Sequence, residues 1–65
     1  MFNFLVVDID SISELNAEGI ELSEENKEEW LVSRHKSWEL AENKIEQLER
    51  KFPNATYDIW EADPV

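Results

Sequence analysis

The chain has 65 residues, 16 of them acidic and six basic, with a formal net charge of -10. A chain this short makes one small domain with a thin stability margin, because it buries only about 60% of the surface its unfolded form exposes. The absence of cysteine excludes disulfides and thiolate metal sites, an anionic surface is repelled by nucleic acid and by anionic lipid, and seven aromatic rings (three Trp, three Phe, one Tyr) set the chain apart from a disordered acidic tail.

In chain order, Phe2 to Ile9 reads as a strand, rich in aromatic and β-branched residues. Phe2, Phe4, Val6 and Asp8 share one face; Asn3, Leu5, Val7 and Ile9 share the other. Both faces are apolar, so the strand is expected to be central or covered on both sides. The opening run lacks a basic flank and a small-residue cleavage site, and Asp8 and Asp10 cut it short. Neither a signal peptide nor a membrane span is expected, and a cytoplasmic location is.

Residues 10–22 admit two readings, a strand continuation or a helical turn at Ser11 to Leu15. Asn16 to Gly19 reads as a turn, with the chain's only glycine available for positive φ. Ile20 to Leu22 reads as a short second strand.

Ser23 followed by Glu24 and Glu25 is a helix start: a hydroxyl to cap free N–H groups and two carboxylates at the positive end of the dipole. Phe52-Pro53 is the stop. Within this span Trp38, Ala41, Ile45, Leu48 and Phe52 recur at spacings of three and four and form one apolar stripe. Extended backward, the stripe meets Arg34 and Lys27. Either one helix runs from Glu24 to Lys51 with those two stems lying over the core edge, or the helix starts near Ser37 and Glu29 to Arg34 is a third strand after a turn at Glu25 to Lys27. The long helix is the preferred reading. Pro53-Asn54 then makes a turn, and Ala55 to Ala62 the last strand.

The expected fold is a single α+β domain over residues 1–65. The N- and C-terminal strands share one sheet, one or two further short strands are allowed, and one main helix packs on a face. The five stripe residues are expected to form the core with Phe4 and Val6, or with Leu5 and Val7, and with Tyr57 and Ile59.

Catalytic signals are sparse. The single histidine, His35, can reach Glu39 if both are helical, which reads as a surface pair. Val6-Val7-Asp8-Ile9-Asp10-Ser11 resembles the first motif of the haloacid-dehalogenase-like phosphatases, an apolar strand ending in Asp-x-Asp. That resemblance implies a nucleophile at Asp8, an acid/base at Asp10 and magnesium beside them. It covers six residues, and the family's other motifs have no counterpart here. The plain reading is a strand ending in solvated carboxylates, and neither a catalytic set, a cofactor nor a tight divalent site at Asp8, Asp10 and Glu14 is expected.

The acids themselves are unevenly placed. Residues 1–29 carry nine acids and one base, residues 30–52 four acids and five bases, and residues 53–65 three acids and no base. Glu24, Glu25, Glu28 and Glu29 put four carboxylates within six residues. Glu39, Glu42, Glu46 and Glu49 form a second stripe beside the apolar one, with Glu46 placed to pair with Arg50. Like charges at these spacings destabilise a helix by a few tenths of a kcal/mol per pair. An ordinary solvated face is one explanation, and a surface for a cationic partner is the other. Trp60, flanked by Asp58 and Glu61, suits an arginine-rich partner if it lies on the outer sheet face. It is a packing residue if segment 10–22 covers it.

This profile resembles the small acidic DNA-mimic inhibitors of bacteriophages and mobile elements, anti-CRISPR proteins among them. The resemblance implies a basic nucleic-acid-binding protein or complex as partner and occlusion of its DNA or RNA site. On that reading Glu24, Glu25, Glu28, Glu29, Glu39, Glu42, Glu46, Glu49, Asp58 and Trp60 are the partner-binding residues. The alternative is a structural or regulatory interaction module that docks through apolar and aromatic side chains, with a homodimer as one form.

Overall fold

The apolar run near the start of the chain becomes the middle strand of a sheet, because both of its faces and both of its edges find cover. The computed structural model describes residues 3–62. Strand β1 (Asn3–Asp8) pairs antiparallel with β2 (Leu31–His35) on one side and β3 (Tyr57–Ala62) on the other, in the order β2-β1-β3. β1 and β3 pair without interruption from Asn3 opposite Ala62 to Asp8 opposite Tyr57. The β1–β2 register slips once: Val6 faces Ser33 and Val7 faces Leu31, so Val32 is the extra residue of a bulge. β2 and β3 are each antiparallel to β1 and so parallel to one another. Helix α3 (Trp38–Lys51) is the crossover between them. The α+β class and the sheet shared by the terminal strands follow the sequence reading. Phe2 lies outside the described residues.

Three expectations from the sequence are corrected. The continuous helix from Glu24 to Lys51 is replaced by a 3-10 turn (Glu24–Asn26), a four-residue helix α2 (Lys27–Trp30), strand β2 and then α3. The physical reason is the one that weakened the long helix. Lys27 and Arg34 would interrupt its apolar stripe, whereas as a strand Leu31 to His35 alternates half-buried and exposed residues and covers the second edge of β1. His35 is therefore a strand residue, bonded through Nε2 to Ser33 Oγ at 2.8 Å instead of pairing with Glu39. Ile20 to Leu22 forms no strand: helix α1 (Ile9–Ala17) precedes it and irregular chain occupies it.

Local chemistry sets each boundary. The Asp8 carboxylate accepts from Asp10 N (3.1 Å) and Ser11 N (3.3 Å) and caps α1. At the other end Gly19, at φ 77, lets Gly19 N donate to Asn16 O (3.0 Å) and Ile20 N to Leu15 O (2.9 Å). That is the double bond pattern of a Schellman stop. Ser37 Oγ accepts from Leu40 N at 3.2 Å and starts α3. Phe52-Pro53-Asn54-Ala55 closes it with a turn in which Ala55 N donates to Phe52 O.

The core lies in two layers. Leu5 and Val7 face α1 and α2, packing with Ile12 and with the half-buried Ile9, Leu22, Trp30, Leu31 and Trp60. Phe4 and Val6 face α3, where Phe4 meets Trp38 edge to face at 6.1 Å. The stripe of α3 does turn toward the sheet, but it is not the buried core expected of it. Ala41 is fully buried, Ile45 and Leu48 are half-buried, and Trp38 and Phe52 stay 48% and 53% exposed. A single helix about 10 Å across covers a three-stranded face, and among the described residues no second helix lies beside it to seal its end rings. The residues that are buried instead include Ile12 and Leu15 of α1.

Candidate acidic surfaces

The eight glutamates of the two acidic groups are divided by the sheet. Glu24, Glu25, Glu28 and Glu29 stand on the 3-10 turn and α2, on the Leu5/Val7 face, and all four are exposed. Glu39, Glu42, Glu46 and Glu49 stand on α3, on the Phe4/Val6 face, and are exposed too. The molecule is a slab, with Cα extents of 32 × 32 × 13 Å. The two acidic groups lie on opposite faces of the sheet.

On the first surface the turn is held by one amide. Asn26 Oδ1 accepts from Ser23 N (2.8 Å) and from Trp30 Nε1 (2.8 Å), with Ser23 Oγ at 3.5 Å; Asn26 Nδ2 donates to Glu21 O at 2.9 Å. The Trp30 ring lies against Trp60, centroids 5.9 Å apart and tilted by 38°. Trp60 sits opposite Leu5 and packs into the cluster around it, so it is half-buried beneath Trp30 and not a free aromatic. Of the two readings of Trp60, the packing residue is the one this geometry matches. Asp58, two residues before Trp60 on the same face, is exposed and accepts from Ile59 N at 2.8 Å. Lys27, the single base of residues 1–29, is paired with Glu24 at 3.0 Å.

The second surface is less one-sided. Glu42 accepts a hydrogen bond from the Trp38 indole, which fixes the exposed ring beside the glutamate row. Glu39 to Glu49 spans about 15 Å of helix axis, roughly one carboxylate every 5 Å, against one phosphate per about 3.4 Å along each DNA strand. Lys44, Arg50 and Lys51 share the helix. Among the described residues Glu46 and Arg50 form no ion pair; the pair present is Lys27 with Glu24.

The Asp-x-Asp carboxylates are engaged by backbone. Asp8 caps α1, and Asp10 Oδ2 accepts from Thr56 N at 3.2 Å while Ile9 N donates to Thr56 O at 2.9 Å. Among the described residues no three His, Asp or Glu side chains converge as a metal site would require. Tyr57, across from Asp8, has its phenol pushed above the ordinary value of 10.0, first by desolvation and then by the Asp8 and Asp10 charges. Ser33 and His35 make a hydroxyl–imidazole contact on the α3 face, with no carboxylate hydrogen-bonded to the ring among the described residues. The sequence reading missed Asn26 and the Ser33–His35 contact. The only signal for Asn26 was its place three residues after Ser23, the spacing of a reciprocal cap. No helix among the described residues is long and apolar enough to cross a membrane. No family model matches the chain, and neither a curated protein nor a solved structure is found similar to it.

Proposed function

We propose that this chain is a non-enzymatic acidic inhibitor that works in the cytoplasm, occupying the DNA- or RNA-binding surface of a basic protein or complex. The observation that carries the reading is the acidic turn. Four exposed glutamates are fixed on a hydrogen-bonded loop, and the only base of the first 29 residues is already paired to one of them. Four clustered carboxylates offset by one lysine leave a net negative patch, which raises the local potential and speeds the approach of a Lys/Arg-lined groove. The Glu39, Glu42, Glu46 and Glu49 row is the second contact surface, weaker because three bases share its helix.

Competition tests the reading. Labelled nucleic acid bound to a basic nucleic-acid-binding protein is titrated with this chain at low and moderate salt. Displacement that weakens with salt, and that is lost when Glu24, Glu25, Glu28 and Glu29 are reversed to lysine together, is the expected result. Simultaneous binding of both ligands sinks it. One observation favours the apolar alternative: Trp38, Leu40 and Phe52 of the α3 segment are each about half exposed. Docking through those residues is indifferent to salt and to the glutamate reversals.

A further inference from the structure

We propose that the outer edge of β3 is a pairing surface for a second copy of this chain, and that the Asp58 carboxylate keeps it closed. The inference is independent of the acidic-turn reading above.

The ladder fixes which backbone groups the edge offers. Successive residues of an antiparallel strand point their N–H and C=O groups to opposite sides. Ile9 N donates to Thr56 O at 2.9 Å, and this pair continues the register in which Asp8 faces Tyr57. Thr56 is therefore turned toward β1, and by alternation so are Asp58, Trp60 and Ala62. Tyr57, Ile59 and Glu61 turn their backbone groups the other way, where among the described residues no strand pairs with them. The bond made by Ile59 N agrees with this: its acceptor is not on β1 but is Asp58 Oδ1, at 2.8 Å.

The sequence along that edge suits its own copy. Two β3 strands running antiparallel about a two-fold axis at Ile59 place Ile59 opposite Ile59, in a pair that exchanges two N–H···O bonds. In that register Tyr57 faces Glu61 and Asp58 faces Trp60, so no carboxylate stands opposite another. Tyr57, Ile59 and Trp60, all half-buried, gain cover. The Ile59 N–H lies at the centre of the pairing, and it is the donor that Asp58 has already taken. An incoming strand must displace the carboxylate and leave it among partly desolvated groups without that bond, which opposes association.

A free strand edge is a template for association, and soluble proteins close theirs. The other edge of this sheet is closed by different means: β2 carries the bulge at Val32, and the exposed Arg34 and Lys36 stand on it and just beyond it. β3 has no bulge, proline or lysine, and its ladder is uninterrupted from end to end. Asp58 stands in their place.

Sedimentation equilibrium tests the proposal in moderate salt, where the repulsion between two chains of net charge -10 is screened. The parent chain should be a monomer. Asp58→Ala should form dimers at concentrations about tenfold or more below any at which the parent does, with exchange of the Ile59 N–H slowing as the dimer forms. Glu61→Ala loses the same charge but leaves Asp58 on the Ile59 N–H, and should stay as monomeric as the parent. Ile59→Pro removes the outward N–H without touching the β1 ladder, so the double variant Asp58→Ala/Ile59→Pro should return to monomer. Protection of the Val6 and Val7 amides reports that each variant is folded. A parent that already dimerises through this edge, or an Asp58→Ala chain as monomeric as the parent, overturns the proposal. So does equal association of Asp58→Ala and Glu61→Ala, which makes net charge the guard and not the hydrogen bond. A double variant that still dimerises puts the contact elsewhere and overturns it too. Loss of Val6 and Val7 protection in Asp58→Ala shows a residue that supports the fold, and overturns the guarding role.

Discussion

At the residue scale the informative side chains are those whose job depends on a distant partner. Asp8 and Asp10 have the spacing of a catalytic pair, yet one caps the helix that follows and the other accepts from Thr56 N, 46 residues away in sequence. Composition around Asp8 could show a carboxylate at a strand end but could not show what comes to meet it. Gly19 is different, because its role was legible: the only glycine, closing the run Asn16-Ala17-Glu18-Gly19, in a position requiring left-handed backbone. A Cβ there would meet open space, so the cost of Gly19→Ala is backbone strain alone, about 1–2 kcal/mol, with Gly19→Asn costing less. Urea denaturation of the two variants checks the order. Tyr57 supplies a pH test. It is the only tyrosine, and its folded-state pKa lies above 10.0. The folded chain therefore holds the phenolic proton more tightly than the unfolded chain does. That contribution is complete below pH 10 and is lost as pH rises through the folded value. Ultraviolet titration should show the phenolate appearing later in the native protein than in urea, and Asp8→Asn should bring it earlier.

At the element scale, the strands at the two ends and the second half of the helical span were legible, the strands from their aromatic and β-branched content and the helix from its spacing of three and four. Residues 24–36 were not. A helix-start signal at Ser23 precedes them and a strand-like run at Leu31 to His35 lies within them, with no glycine or proline between, and what decides is the unfilled edge of β1, a tertiary fact. The same limit applies to α3: periodicity shows which side faces inward, and the width of the sheet decides how much of that side is buried. The consequence for stability is a reversed ranking. Ile12, nearly buried in the cluster with Leu5 and Val7, should cost about 2–4 kcal/mol on truncation to Ala, and the half-buried Ile45 about 1–2 kcal/mol. Ala41 is fully buried where α3 meets the sheet, and Ala41→Leu should destabilise by about 1–3 kcal/mol through overpacking. Thermal melts of the three variants measure all of these at once. An Ile45→Ala variant less stable than Ile12→Ala would contradict the two-layer core.

At the scale of the whole molecule the charge is the controlling quantity. A net charge of -10 on a slab 13 Å thick repels itself, and few ion pairs offset the repulsion. Added salt screens that repulsion, so the melting temperature should rise between low and moderate ionic strength, while affinity for a basic partner should fall over the same range. Opposite salt responses of stability and binding, measured by calorimetry on one sample series, would separate the two roles of the acids. The acidity itself was plain in the sequence. Its division between two faces was not, because it depends on β2 standing between the two glutamate groups in the chain and sending them to opposite sides. The uninterrupted β1–β3 ladder has a consequence for biosynthesis. Asn3 is made 59 residues before its partner Ala62 (62 − 3). The central strand can thus gain its second neighbour only after translation has passed Ala62, and until then a nascent apolar strand waits without its sheet. Contacts between residues so far apart in sequence also slow the search once the chain is free. A ribosome-stalled series that halts synthesis at successive positions should therefore stay protease-sensitive through α3 and become resistant only when β3 has left the tunnel.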